Sequence, residues 1–317
     1  MLRSAFVILL LAFGAACSAS GQELSFATVV EARALLSAQD AFVTRMSPFD
    51  RAARMKTARE VSAAEYLAFA ASAAMEWSPD EIRTVAAAFD RIRPAIAQLS
   101  LPLPPGVMVI KTSGREEGGA AYTREKAIVL PKDMIAAKDL QRLLAHELFH
   151  IASRQRPTLA AALYATIGFE PCGEVQLPPE LAPRKITNPD APKNDYCMKL
   201  ELGEEPIVAV PVLLSNSAKY DESRGGEFFE YLQLAYLLVE PGQGNTAAKA
   251  LRDDRGPRLV GLREVSGFFE QVGRNTDYII HPEEILAENF ALLVLGASNV
   301  ASPEVLTRMR EALAEKP

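Results

Sequence analysis

LLAHELFHIA, residues 143–152, is the stretch that decides the fold, because three polar side chains interrupt an otherwise apolar run. Such a run predicts a helix that is buried on almost every side. Burying two imidazoles and a carboxylate without partners would cost several kcal/mol. His146, Glu147 and His150 therefore require a metal ion or a hydrogen-bond network to compensate.

The spacing of these three residues favours a metal ion. His146 and His150 are four positions apart, so their rings lie one above the other on a helix and can reach one ion. Glu147 neighbours that stripe and can reach a water on the metal without being a ligand, as a general base must. The pattern predicts a Zn2+ site with Glu147 as a catalytic residue. A hydrogen-bonded polar network in a core helix is the competing interpretation.

Zinc requires a third protein ligand. A third histidine six residues after His150 is excluded, because Arg156 stands there. The last of the three histidines, His281, lies in YIIHPEEILAENF, residues 278–290, which predicts a second helix with several acidic groups. From the residues alone Glu284, Glu283 and His281 are all candidates for the third ligand.

Together the two stretches resemble the gluzincin zinc metallopeptidases, over about residues 140–156 and 278–290. The resemblance implies that Glu284 is the third ligand and that Glu288 accepts a hydrogen bond from a ring N–H of His146. It further implies that Tyr278 or His281 donates a hydrogen bond to the oxyanion of the reaction. The strand expected near residues 120–123 resembles the edge strand to which substrate adds in related peptidases.

The activity implied by this resemblance is hydrolysis of peptide bonds, with a peptide or protein as the substrate. Zinc lowers the pKa of a bound water towards about 7, and Glu147 takes its proton and passes it to the leaving amine. A zinc amidase acting on a non-peptide or cell-wall amide would use the same chemistry. A non-catalytic envelope lipoprotein with structural zinc is a further alternative, but Glu147 has no role in a closed structural site.

The expected fold class is α+β and zincin-like. Residues 21–100 are Ala-rich, with helix starts at Ser62 and Ser78, and predict a helical N-terminal layer. LPLPPG, residues 101–106, breaks helix and begins a zinc hydrolase domain over 101–317. Short strands near 107–111, 120–123 and 127–130, with apolar runs at 207–214 and 228–239, predict a small mixed or antiparallel sheet packed on the zinc-binding helix. C-terminal helices are expected over 282–295 and 303–315.

Composition supports a folded protein and argues against nucleic acid as a partner. The 317 residues are 49% hydrophobic and 23% charged, enough to bury a sizeable core. The 34 basic and 40 acidic residues give a formal charge of -6. No long basic run is present that would follow a phosphate backbone.

Residues 1–20 predict an export signal, with Arg3 before an apolar stretch at 5–13 that is too short to span a bilayer. Residues 14–17, GAAC, resemble the lipobox after which bacterial signal peptidase leaves a lipidated cysteine. Gly14 departs from that pattern, and cleavage near Ala19 or Gly21 is the alternative. We expect a periplasmic or cell-envelope lipoprotein anchored to a membrane through Cys17, or otherwise a secreted protein.

The remaining cysteines, Cys172 and Cys197, form an even pair in an oxidising compartment, which predicts a disulfide. Such a bond would close the long Pro-rich segment from residue 170 to 195, which is too long to be slack in a compact domain. The alternative is that one of the two cysteines ligates the metal ion.

Overall fold

The structure, a computed structural model, describes residues 23–99, 101, 103–242 and 246–315. The export signal predicted for residues 1–20, including Cys17, lies outside the described residues. The described chain is an α+β protein, as predicted. Among its helices, none combines the length and the apolar character that crossing a membrane requires.

The N-terminal region is mainly helical, and serine and threonine side chains begin several of its helices. Ser62 and Ser78 each accept a hydrogen bond from the backbone N–H three residues later, which confirms the two predicted helix starts. The elements of this region are β1 (Leu24–Phe26), α1 (Val29–Leu36), α2 (Ala41–Arg45), α3 (Pro48–Arg54), α4 (Ala63–Ala71) and α5 (Pro79–Gln98).

Two features show how this predominantly helical layer packs against the rest of the chain. β1 pairs in parallel with β2 (Val107–Thr112), so residues before α1 complete the sheet of the next segment. The apolar face of α5, including Val85 and Phe89, belongs to the same hydrophobic core as Leu144 and Leu148 of the motif helix. The N-terminal region and the motif helix therefore share one core.

A mixed four-stranded sheet, with the order β1-β2-β4-β3, supports the motif helix. β4 (Ala127–Pro131) is parallel to β2, and β3 (Tyr122–Arg124) is an antiparallel edge strand with Thr123 opposite Ile128. Side chains of this sheet, including Val109 and Leu130, pack on Leu144 of α6 (Leu140–Gln155). The predicted packing of a small mixed sheet on this helix is confirmed.

A larger antiparallel sheet follows, with the order β12-β8-β7-β6-β5 and β9 paired to β8. The apolar run at 207–214 is a strand, as predicted, but residues 228–231 form a short 3-10 turn. The backbone N–H of Glu227 donates to the Glu230 carboxylate at 3.1 Å, and the N–H of Glu230 donates to the backbone carbonyl of Glu227 at 3.0 Å. The elements from α7 onward are α7 (Pro157–Ala165), β5 (Phe169–Pro171), β6 (Tyr196–Leu202), β7 (Glu205–Ser215), β8 (Leu232–Glu240), β9 (Lys249–Ala250), β10 (Arg252–Asp253), β11 (Gly256–Pro257) and β12 (Leu259–Val260).

Three C-terminal helices complete the core: α8 (Phe268–Val272), α9 (Pro282–Val294) and α10 (Pro303–Ala314). α9 and α10 begin with proline at their first position, where the missing N–H costs nothing. Phe149 of α6 packs on Phe290 of α9 with ring centroids 5.6 Å apart. This packing brings the two motif helices side by side.

Cys172 and Cys197 lie close together where β5 pairs with β6. The backbone N–H of Cys172 donates to Asp195 at 3.0 Å, and Cys197 is opposite Glu170. Both side chains are buried and are free thiols in contact with each other. The disulfide stays a prediction. Neither sulfur belongs to the cluster of possible metal ligands in the described chain.

Candidate metal centre

Helices α6 and α9 bring the predicted site residues together. α6 carries His146, Glu147 and His150, all buried. His281 precedes α9, and its Nδ1 accepts a hydrogen bond from the backbone N–H of Glu283 at 3.1 Å. This cap begins the helix so that its first turn, with Glu283 and Glu284, faces α6.

Three side-chain atoms converge between the two helices. Oε2 of Glu284 lies 3.1 Å from Nε2 of His146 and 3.4 Å from Nε2 of His150. The three residues offer ligand atoms that all lie within 4.8 Å of one another, and the cluster could hold a metal ion. The structure thus brings together the two histidines of the motif and the glutamate predicted as the third ligand.

Two unpartnered polar atoms test whether a metal ion fits here. Nε2 of His150 and Oε2 of Glu147 are buried and have no hydrogen-bond partner in the described part of the chain. Buried polar atoms are rarely left in this state without an ion, a water or a functional role. Two imidazole nitrogens and a carboxylate oxygen are donors that zinc accepts. The donor set and the unpartnered nitrogen both fit a metal ion.

Each ligand histidine has a carboxylate on its other ring nitrogen. Nδ1 of His146 lies 3.0 Å from Oε1 of Glu288, and Nδ1 of His150 lies 2.8 Å from Oε1 of Glu283. A proton held on Nδ1 by each carboxylate would leave Nε2 of both rings able to ligate an ion. Glu288 therefore lies where it was expected, whereas Glu283, an alternative third ligand, lies behind His150.

Both supporting carboxylates are themselves held in place. Arg142 donates to the second oxygen of Glu288. Glu283 accepts hydrogen bonds from Ser153, at 2.5 Å, and from the hydroxyl of Tyr164. The rotamers of the ligand histidines are thus fixed through a second layer of contacts.

The charges around the cluster shift the pKa values of its members. Burial lowers the pKa of His146, but its hydrogen bonds to Glu284 and Glu288 outweigh this effect and raise it to about 9. Burial, together with the nearby Asp190, raises the pKa of Glu147 to about 8. The carboxyl group of Glu147 therefore holds a proton more firmly than an exposed glutamate does.

Two residues of the site were missed by sequence reasoning, and both lie on the Pro-rich segment between α7 and β6. Nδ2 of Asn188 donates to Oε1 of Glu284 at 2.5 Å, so Oε2 is left facing the histidines. Asp190 offers a carboxylate oxygen within 4.8 Å of ligand atoms on Glu147 and His150. The length of this segment was the feature of the sequence that could have indicated a role in the site. It was used only to support the predicted disulfide.

Tyr278 and His281 occupy different positions. Tyr278 is 41% exposed, and its ring lies 6.3 Å from that of His146 at an interplanar angle of 30°. His281 is buried beside Tyr164, and burial lowers its pKa to about 4. His281 uses its Nδ1 to cap α9 and is neither in the cluster of possible ligands nor among the residues that line the groove over it, so its roles as ligand or oxyanion donor stay predictions.

An open groove of about 300 Å3 runs over the cluster. Its lining includes residues of the cluster together with Met134, Arg142, Asp190 and Tyr278. The edge strand expected to receive substrate is partly covered, because Asp190 accepts the outward N–H of Thr123 at 2.8 Å. Of residues 120–123, which were predicted as the strand that receives substrate, only Ala120 and Ala121 line the groove, and both precede β3.

Comparison with known proteins adds no relative: no protein family matches the chain, and neither the curated proteins nor the solved structures contain a significant match. The geometry and chemistry of the site therefore carry the functional conclusion.

Proposed function

We propose that this protein is a zinc-dependent hydrolase that cleaves peptide bonds. The observation that carries the proposal is the convergence of Nε2 of His146, Nε2 of His150 and Oε2 of Glu284, with the unpartnered Oε2 of Glu147 beside them. Two imidazoles and one carboxylate, with a separate acidic residue as base, are the donor set of a catalytic zinc site.

His146, His150 and Glu284 would hold the ion. Zinc in this position supplies a Lewis acid that polarises a carbonyl group and increases the acidity of water. A closed structural site would require a fourth protein ligand. In the described chain His146, His150 and Glu284 supply three ligands and face an open groove, and the second possible group, Glu147, His150 and Asp190, shares only His150 with them. These features favour catalysis over a structural metal.

The residues of the chain have separate tasks in this proposal. Oε2 of Glu147 accepts a proton from the attacking water and returns it to the leaving nitrogen. The hydroxyl of Tyr278, which lines the groove, donates a hydrogen bond to the carbonyl oxygen as negative charge develops there. Glu288 and Glu283 keep the histidine protons on Nδ1.

We also propose that the protein acts outside the cytoplasm. The support is the sequence of residues 1–20, with Arg3 before an apolar stretch and Cys17 after it. Lipid on Cys17 would anchor the protein to a membrane. Metabolic labelling with a palmitate analogue tests this, because wild-type protein should incorporate the label and Cys17→Ser should not. Wild-type protein that incorporates no label would contradict the proposed lipidation of Cys17.

The hydrolase proposal is tested with purified wild-type protein, Glu147→Gln and, as a matched control, Glu304→Gln on the exposed face of α10. Zinc content is measured together with cleavage of a peptide library and of cell-wall fragments. We expect all three proteins to bind zinc and only Glu147→Gln to lose cleavage, by at least about a hundredfold. Retained activity in Glu147→Gln would refute the role of the base, and cleavage of wall fragments alone would refute the peptide substrate.

A further inference from the structure

A second group of possible metal ligands adjoins the first. Glu147, His150 and Asp190, called here the second ligand group, offer ligand atoms that all lie within 4.8 Å of one another. The first ligand group is His146, His150 and Glu284, so only His150 belongs to both. Two helices supply the first group, whereas α6 and the Pro-rich segment between α7 and β6 supply the second.

The members of the second ligand group have atoms left to bind an ion. Nδ1 of His150 lies 2.8 Å from Oε1 of Glu283, so Nε2 is the ring nitrogen that remains. That nitrogen and Oε2 of Glu147 have no hydrogen-bond partner in the described chain, although the two residues are only 1% and 2% exposed. Buried polar atoms without a partner indicate an ion, a water or a functional role.

Asp190 is held in position by contacts that do not involve the metal centre. The backbone N–H of Thr123 donates to its Oδ1 at 2.8 Å, and the hydroxyl of Thr123 donates to the same oxygen. Nη2 of Arg154 lies 3.7 Å from this oxygen. Asn188 accepts the backbone N–H of Asp190 at 2.9 Å. These contacts leave Oδ2 for another partner, and an ion bound there would find the carboxylate already oriented.

Charge and ligand type distinguish the two groups. The first group has two imidazoles and one carboxylate, whereas the second has one imidazole and two carboxylates. With both carboxylates ionised, the second group carries two negative charges and attracts a dication more strongly. Imidazole suits Zn2+, and carboxylate oxygens suit Mn2+. Since Nε2 of His150 has a single lone pair, it can ligate one ion at a time.

We propose that Glu147, His150 and Asp190 form a second position for a divalent cation that prefers oxygen ligands, such as Mn2+, and that occupation of one position excludes the other. An ion in the second position uses Glu147 as a ligand, so this carboxylate is no longer available as a base. The position itself follows from the three side chains. Only its effect on catalysis rests on the proposed hydrolase function.

Metal binding to variants of the two groups tests the second position without any hydrolysis. Metal-free protein is titrated with Mn2+, followed by the electron paramagnetic resonance of the free ion, and separately with Zn2+ against a chelator. Asp190→Asn keeps an oxygen for Thr123 but loses a charged ligand. We expect it to raise the Kd of Mn2+ at least about tenfold and to change the Kd of Zn2+ by less than about threefold.

His146→Gln should have the opposite effect, weakening Zn2+ at least about tenfold and leaving Mn2+ within about threefold. Asp139→Asn is the matched control, because this carboxylate lines the same groove but belongs to neither group, and it should change neither ion. Retained zinc binding also shows that Asp190→Asn is folded.

Competition between the two ions tests the shared ligand. An equimolar amount of Zn2+ should release Mn2+ from the wild type, because both ions require His150. Loss of Mn2+ binding in His146→Gln, unchanged Mn2+ binding in Asp190→Asn, or simultaneous binding of both ions would each overturn the second position, even if the zinc-loaded protein cleaves peptides. The expected binding pattern without any peptide cleavage would instead contradict the proposed hydrolase and leave the second position standing.

Discussion

Asn188 donates a hydrogen bond to Oε1 of Glu284 at 2.5 Å, although the two residues are 96 positions apart in the chain. The contact fixes the carboxylate so that its other oxygen lies 3.1 Å from Nε2 of His146 and 3.4 Å from Nε2 of His150. The Pro-rich segment is therefore part of the candidate metal centre, and its conformation influences the position of a ligand.

Replacing Asn188 by alanine should weaken zinc binding without removing a ligand. The free side chain of Glu284 would sample other rotamers, and loss of such an outer contact lowers metal affinity by about 10- to 100-fold. Competition with a zinc chelator measures the effect. Asn216→Ala, at an exposed loop position, is the matched control and should bind zinc like the wild type. Unchanged affinity in Asn188→Ala would show that Glu284 does not depend on this contact.

The cluster at the candidate metal centre was predictable because its residues follow short-range sequence patterns. The four-residue spacing of His146 and His150 indicates one helix face, and Pro282 followed by two glutamates indicates a helix start. These patterns predicted both motif helices and, with the family resemblance, the positions of Glu284 and Glu288 beside His146.

The remaining parts of the site depend on contacts between distant segments, which local patterns do not encode. Asn188 and Asp190 have no helical or strand periodicity, so only the folded chain shows that they reach α9 and β3. β1 was missed because three residues are too few for a recognisable alternation. His281 lies outside the cluster and its Nδ1 caps α9, a role that the sequence pattern did not distinguish from a role in the site.

Glu283 should contribute to stability as well as to the position of His150. Its carboxylate accepts hydrogen bonds from His150, Ser153 and Tyr164 in a buried setting. Glu283→Ala would leave these three donors without their partner, and we expect the free energy of unfolding to fall by about 3 kcal/mol. Urea denaturation of the metal-free protein measures this loss.

The matched comparison for Glu283 is Glu283→Gln, which keeps the shape and part of the hydrogen bonding and should lose less stability than Glu283→Ala. Metal-free protein is required because zinc bound to the folded state would add its own stabilisation. Equal stability of Glu283→Ala and the wild type would contradict the assignment of Glu283 as the acceptor at the centre of this network.

Glu117 should make stability depend on pH in the neutral range. Burial raises its pKa from 4.5 to about 7, despite the opposing effect of Arg54. Since the folded state then binds the proton more tightly than the unfolded state, the stabilisation is complete below about pH 4.5 and is lost as the pH rises through about 7. The difference in unfolding free energy between the wild type and Glu117→Gln should fall across this interval.

Urea denaturation at pH 4.5, 6 and 8 measures this difference for Glu117→Gln. The exposed variant Glu304→Gln is the control, and its difference in unfolding free energy from the wild type should not change with pH. The sign of the change with pH shows whether burial or Arg54 dominates the pKa of Glu117. A difference that grows with pH would mean that the ion pair with Arg54 outweighs burial and holds the pKa of Glu117 below its unfolded value.

The last prediction concerns the contact between Cys172 and Cys197. In an oxidising compartment these buried neighbours should form a disulfide, which closes the segment carrying Asn188 and Asp190. We expect oxidised protein to be more stable than reduced protein by about 3 kcal/mol, because the bond restricts the unfolded chain. The double variant Cys172→Ala/Cys197→Ala should match the reduced protein and show no dependence on reductant.

Mass spectrometry of the intact protein gives the direct measurement. The oxidised protein should be 2 Da lighter than the reduced form, because forming a disulfide removes two hydrogens. Two titratable thiols after complete oxidation would contradict the prediction, and the segment would then be held by noncovalent contacts only, among them those to Glu284 and Thr123.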